Sequence, residues 1–209
     1  MNLAPDALTR KYPMVHWSEA GETRSARWRS ESGNPPPGKV VIANDQTSAD
    51  AAYRLARNGT ALLWRGDFQN ARQLLQALTR RVEKPPHQPA AKTAARSAWG
   101  EPKKSLLEAF QQQRQQQARR AQTLGMLLLP LDADYNVPLR RAPDLRQACT
   151  AAYGPVDPST TGASLVSLRE LLGLIGAFEW RKKGVPVAAL GAHIHPHYLA
   201  YFNVFAGGP

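Results

Sequence analysis

TALLWRGDFQNARQLLQALTRRV, residues 60–82, is the clearest helical signal in this chain of 209 residues. From Phe68 onward the apolar side chains fall at Ala71, Leu74, Leu75, Leu78 and Val82. Steps of three and four place them on one face of a 3.6-residue helix. Asp67, directly after Gly66, is a suitable N-cap, because its carboxylate can accept from the open N–H groups of the first turn. The preceding segment, residues 49–64, carries the same spacing at Ala52, Leu55, Ala56, Gly59, Leu62 and Leu63. The expectation is therefore a helical hairpin bent at Arg65-Gly66-Asp67, started by a capping box at Thr47 and Asp50.

Working outward, residues 1–38 read as an N-terminal arm and linker, in which Trp17 and Trp28 dock on the body. Residues 39–84 hold the hairpin, entered through a short strand, KVVIA. The prolines at 85, 86 and 89 make residues 85–102 a flexible linker. Residues 103–198 are expected to be a helical domain with short strands, and 199–209 a divergent tail. Within 103–198 the Gln-rich run QQQRQQQARRAQ predicts a helix that stands largely in water and stops at Gly125. Residues 126–141 change to two short apolar runs around Asp132 and Asp134, which predicts a β-hairpin. A helix is expected over 144–153. A second strongly apolar helix is expected over 164–183, closed by Arg181, Lys182 and Lys183, where the helix dipole favours positive charge. The fold expected from these pieces is α+β and mainly helical: a helical hairpin plus long helices with short β-hairpins, and no complete Rossmann-like sheet.

Lys and Arg exceed Asp and Glu by 11, which favours an anionic partner. Arg114, Arg119 and Arg120 form one basic group; Arg140, Arg141 and Arg146 form another; Arg181, Lys182 and Lys183 form a third. With Trp99, Tyr135 or Trp180 beside them, these groups suit contact with nucleic acid or another acceptor by charge and stacking. The plain alternative is solvated helix faces. The single cysteine, Cys149, excludes an internal disulfide and a cysteine-based zinc site. Its helical surroundings favour a small buried side chain over a catalytic thiolate. His193, His195 and His197 alternate along HIHPH, so a strand would place all three imidazoles on one face, a weak candidate for a metal site. No apolar run is long enough for a membrane span or a signal peptide, and the expected compartment is the cytoplasm. Glycine-rich nucleotide loops, phosphate loops and nucleophile elbows are absent from the sequence.

Asn34-Pro35-Pro36 resembles the Asn-Pro-Pro-aromatic loop of amide and adenine N-methyltransferases, but Pro37-Gly38 stands where the aromatic residue belongs, and a linker is expected instead. The longer segments TALLWRGDFQNARQLLQAL, TLGMLLLPLDADYNVPLRRAPDLRQAC, SLRELLGLIGAFEWRKKGV and GAHIHPHY carry a broader resemblance. Together they resemble the N-terminal region of a proteobacterial family of class I S-adenosylmethionine-dependent methyltransferases of the small-domain type, whose relatives modify rRNA or release factors. The resemblance implies a truncated substrate-recognition domain that acts with a C-terminal methyltransferase domain. It implies no catalytic residue and no cofactor in this chain, since the family's glycine-rich loop matches no position here. The acceptor is expected to be RNA, a ribosome or a protein, and no membrane is implied. A non-enzymatic basic RNA-binding or protein-interaction module is the alternative. The tail, PHYLAYFNVFAGGP, is similar to a segment of membrane-embedded glycosyltransferases. A parallel, helix-flanked sheet with a deep adenosine-sized cleft would overturn the docking reading.

Overall fold

A computed structural model describes residues 12–83, 106–156, 162–187 and 191–195. Among them, Lys39–Ala43 (β3), Ala49–Arg57 (α1), Thr60–Trp64 (β4) and Phe68–Glu83 (α2) succeed one another as two β–α units. The expected helical hairpin is therefore incorrect. Helix α1 stops at Asn58-Gly59, where Gly59 takes φ 77°, and TALLW continues as a strand. Every residue of β4 is buried, so the run shows no alternation. A strand covered on both faces and a buried helical turn present the same continuous apolar string. The expectations for α2 hold: Phe68, Ala71, Leu74, Leu75 and Leu78 are its buried face. Asp67 Oδ1 accepts from the Gln69 N–H at 2.8 Å, as an N-cap does. At α1 the cap lies one residue from the expected place. Ser48 Oγ accepts from the Ala51 N–H, and Thr47 Oγ1 accepts from the Asn44 N–H.

The centre of the fold is a six-stranded mixed sheet, which corrects the mainly helical expectation. Its other strands are Met14–Glu19 (β1), Glu22–Arg29 (β2), Leu127–Leu131 (β5) and Ser164–Ser167 (β6), in the order β1-β2-β6-β5-β4-β3. Strands β3, β4 and β5 are parallel, β6 is antiparallel to β5, and β2 runs parallel to β6. β1 and β2 form a hairpin through Ala20 and Gly21, both at positive φ, the geometry of a tight turn matched to strand twist. Residues 126–141 form no hairpin of their own. β5 finds its partners in β4 and β6, while Pro138 lies outside any strand. The helix expected from residue 164 begins at Leu168 instead, because Ser164–Ser167 is the strand β6.

The edges β1 and β3 approach each other, so the sheet curls into a nearly closed barrel. Arg65 spans the seam and grips Glu19 with Nε and Nη2 at 2.9 and 2.7 Å, a bidentate pair. The concave face packs Trp17, Trp28, Val40, Leu63, Leu128 and Leu165 into one core. The convex face packs Leu62, Trp64, Leu129 and Val166 against α2 and against Leu168–Lys183 (α5) in the larger core. Arg146–Tyr153 (α4) adds Cys149 to it. Leu106–Gly125 (α3) differs from the rest: its described side chains from Leu107 to Gln122 are all exposed, as its glutamines led one to expect. After Gly184, Val185–Val187 (β7) and Ala192–Ile194 (β8) pair as a small separate hairpin.

Candidate functional site

In open α/β sheets, ligands sit outside the carboxyl ends of parallel strands. Here that edge is filled by the protein itself. After β3, Asp45 accepts from the Asp67 N–H at 3.0 Å and from Asn70 Nδ2 at 3.0 Å. After β4, Gly66 lies so close that an added Cβ would fall 2.9 Å from the Asp45 backbone nitrogen and 2.7 Å from its carboxyl carbon. Asp67 is 3% exposed, and its Oδ2 accepts from Arg141 Nε at 2.7 Å. The Phe68 N–H donates to the Arg140 carbonyl at 3.0 Å, so the 140–141 segment is clamped over the start of α2. The Arg141 hydrogen bond, aided by both arginine charges, holds the Asp67 carboxyl below its ordinary range. After β5, Asp132 closes its own turn by accepting from the Asp134 and Asn136 N–H groups.

Where β5 meets β6, a buried arginine fills the space. Arg29 is 8% exposed, and its guanidinium carbon lies 5.1, 5.3 and 4.9 Å from the ring centres of Tyr12, Tyr135 and Tyr153. Its Nε donates to Ser164 Oγ at 3.2 Å, and among the described residues no carboxylate pairs with it. Cation–π attraction on three faces substitutes for an ion pair there. Tyr135, expected as a surface stacking residue, belongs to this buried box.

The opposite edge is open. A cavity of about 490 Å³ lies at the amino ends of β4 and β5, between the loop at 34–38 and the last turns of α3. Trp28, Met126 and Leu128 line it from the sheet, and Pro35 to Pro37 form a second wall. Ala118, Ala121 and Gln122 close it from α3. Trp28 Nε1 donates to the Asn34 carbonyl at 2.8 Å, which fixes the proline loop against the barrel. The loop is also fixed upstream. Glu170 in the first turn of α5 accepts from the Glu31 N–H at 2.8 Å and from Ser30 and Ser32 Oγ at 3.1 Å. Burial pushes the Glu170 carboxyl above its ordinary value. Ser167 also lines the cavity. It stands at the N-cap of α5 without capping it, and among the described residues its buried Oγ has no hydrogen-bond partner. The sequence offered one signal for this site, the Asn34-Pro35-Pro36 string, and it pointed to a linker.

The predicted contact residues are carried by separate elements. Arg114, Arg119 and Arg120 are exposed along α3, with Arg114 stacked over Phe110 at 5.9 Å. Arg140 and Arg141 sit at the Asp67 clamp, and Arg146 donates to Asn136 Oδ1. Arg181, Lys182 and Lys183 end α5 beside the exposed Trp180. His193 and His195 both abut Gly184, and His195 Nδ1 lies 2.6 Å from the Arg181 carbonyl oxygen. His197 and Trp99 fall outside the described residues. Among the described residues, no group of three or more His, Cys, Asp or Glu is placed to hold a metal. The Cys149 thiol is buried and pushed up to about 12, which keeps it protonated and unsuited to nucleophilic work. No helix of the described residues is long and apolar enough to cross a membrane. The chain matches no family model, no curated protein and no solved structure.

Proposed function

We propose that this chain is a recognition domain that docks a macromolecular acceptor for a methyltransferase domain, which supplies S-adenosylmethionine and the chemistry. The observation that carries this reading is the filled carboxyl edge of the parallel strands. The strands β3, β4 and β5 are parallel and helix-flanked, one part of the arrangement expected to overturn a docking reading. But the cavity of about 490 Å³ lies at the amino ends of β4 and β5 and not at the carboxyl ends, where such sheets bind cofactors. At Gly66 the packing against Asp45 excludes even a methyl group. The Arg29 box occupies the space where β5 gives way to β6. A cofactor with a cationic sulfonium also gains nothing from a chain of net charge +11. Calorimetry of S-adenosylmethionine against the chain is the test. No binding heat is expected; micromolar affinity would overturn the reading.

A second observation favours an anionic acceptor. Helix α3 leaves Arg114, Arg119 and Arg120 in solvent along a glutamine-rich surface, which suits RNA, free or in a ribosome. Such binding loses affinity steeply with salt, by roughly 0.7 log units per log unit of salt for each single-strand phosphate contacted. Affinity for RNA that is indifferent to ionic strength would leave a protein acceptor as the remaining choice. A cytoplasmic setting suits either acceptor.

A further inference from the structure

The cavity beside α3 has a chemistry narrow enough to name its guest. We infer that it takes one uncharged heteroaromatic ring, whose attached phosphate is held by Arg114: a nucleotide, free or within a single strand. The inference deepens the docking reading and rests on it for the face of α3 that meets the acceptor.

No charged side chain is among the cavity's lining residues, so the buried part of a guest must be neutral. Its volume of about 490 Å³ lies within the range of small-molecule sites, roughly 300–1,000 Å³. Pro35 to Pro37, Met126 and the little of Trp28 that is not buried in the core give an apolar lining, which favours an apolar ring over a polar chain. The polar groups present, the Gln122 amide and Asn34, match the donor and acceptor edges of a base. The Ser167 hydroxyl at the cavity wall is buried and has no hydrogen-bond partner among the described residues.

The helix then fixes where charge must lie. Ala118, Ala121, Gln122 and Gly125 face the cavity, and one turn earlier on the same face comes Arg114. That is about 6 Å along the axis, close to the reach from a base to its own phosphate. Arg119 and Arg120 point away from this face and serve only the neighbouring phosphates of a longer strand. S-adenosylmethionine is a poor guest, because its positive sulfonium would meet Arg114 where a phosphate is favoured.

The experiment titrates the whole chain with uridine and adenosine monophosphates, the same nucleosides without phosphate, and short single-stranded RNA. Ala121→Trp fills the mouth from an exposed helix position, with Ala118→Trp as the second filling variant should the first fail to fold. Either is expected to weaken nucleotide or RNA binding by about tenfold or more. Arg114→Glu is expected to weaken the phosphorylated probes and leave the nucleosides unchanged. Monophosphates that bind as well as RNA identify a free nucleotide as the source, and RNA alone identifies a strand; both support the inference. RNA binding that survives the filling variants but is lost when Arg114, Arg119 and Arg120 become Glu sinks the cavity while the docking reading stands. Absence of binding by every aromatic probe sinks it too.

Discussion

The two ends of the same three parallel strands have opposite fates. At the carboxyl ends of β3 and β4, Asp45, Gly66, Asp67 and Arg141 interlock with no space for one added carbon. At the amino ends of β4 and β5, Gly59 and Gly125 meet nothing within 4 Å at the Cβ position, and a cavity of about 490 Å³ opens. Both ends sit on one sheet, so backbone topology alone does not explain the contrast. What differs is the chemistry of the turns. A short acidic side chain reaching into the next turn satisfies backbone N–H groups and closes the gap. A rigid proline loop held from outside by Glu170 and Trp28 cannot collapse inward and leaves one.

The strongest attack on this contrast is Gly66→Ala. Its Cβ would collide with the Asp45 carboxylate and backbone, and a loss of about 3 kcal/mol in urea unfolding is expected. Adding Asp45→Ala should restore only part of it, because the Asp45 backbone nitrogen remains 2.9 Å away. An unchanged midpoint would show that the carboxyl edge yields as readily as the other.

Next comes pH, which should act on the two ends in opposite senses. Arg141 holds the folded Asp67 carboxyl below its ordinary 3.8, and Arg65 holds Glu19 below 4.5. Their contribution is complete above those values and is lost as pH falls through the lowered ones. Glu170 is raised by burial, so its contribution is complete below 4.5 and declines as pH rises from there through its folded value. Unfolding midpoints followed across pH should therefore lose their decline above 4.5 in Glu170→Gln and part of their acid loss in Asp67→Asn. Parallel profiles for wild type and Glu170→Gln would show that the proline-loop anchor carries no buried charge.

The smallest expected effect is Ser167→Ala. Removing a buried hydroxyl that has no partner among the described residues should stabilise the fold by about 1 kcal/mol. A destabilised variant would mean that the hydroxyl is already satisfied.

Much of this architecture lay beyond the sequence for identifiable reasons. TALLW and SLVS at 164–167 are short buried runs abutting amphipathic helices, so the helical period extends over them by chance of composition. Their neighbours, not their own pattern, make them strands: β4 needs β3 and β5, and β6 needs β5 and β2. No local pattern marks Arg29, because the tyrosines that surround it come from residues 12, 135 and 153. Apart from the Asn34-Pro35-Pro36 string, the cavity was hidden for the same reason, its walls being drawn from five separate stretches of the chain.

By itself the sequence determined what depends on residues within a turn or two of each other. The apolar face of α2, its Asp67 cap, the solvated length of α3 and the glycine stop at 184 follow from side-chain spacing and local hydrogen bonding. The tertiary structure alone decided strand against helix in fully buried runs, the order of the sheet, and which of its ends stayed open. Those outcomes depend on partners distant in sequence, whose packing fixes what a continuous apolar string becomes.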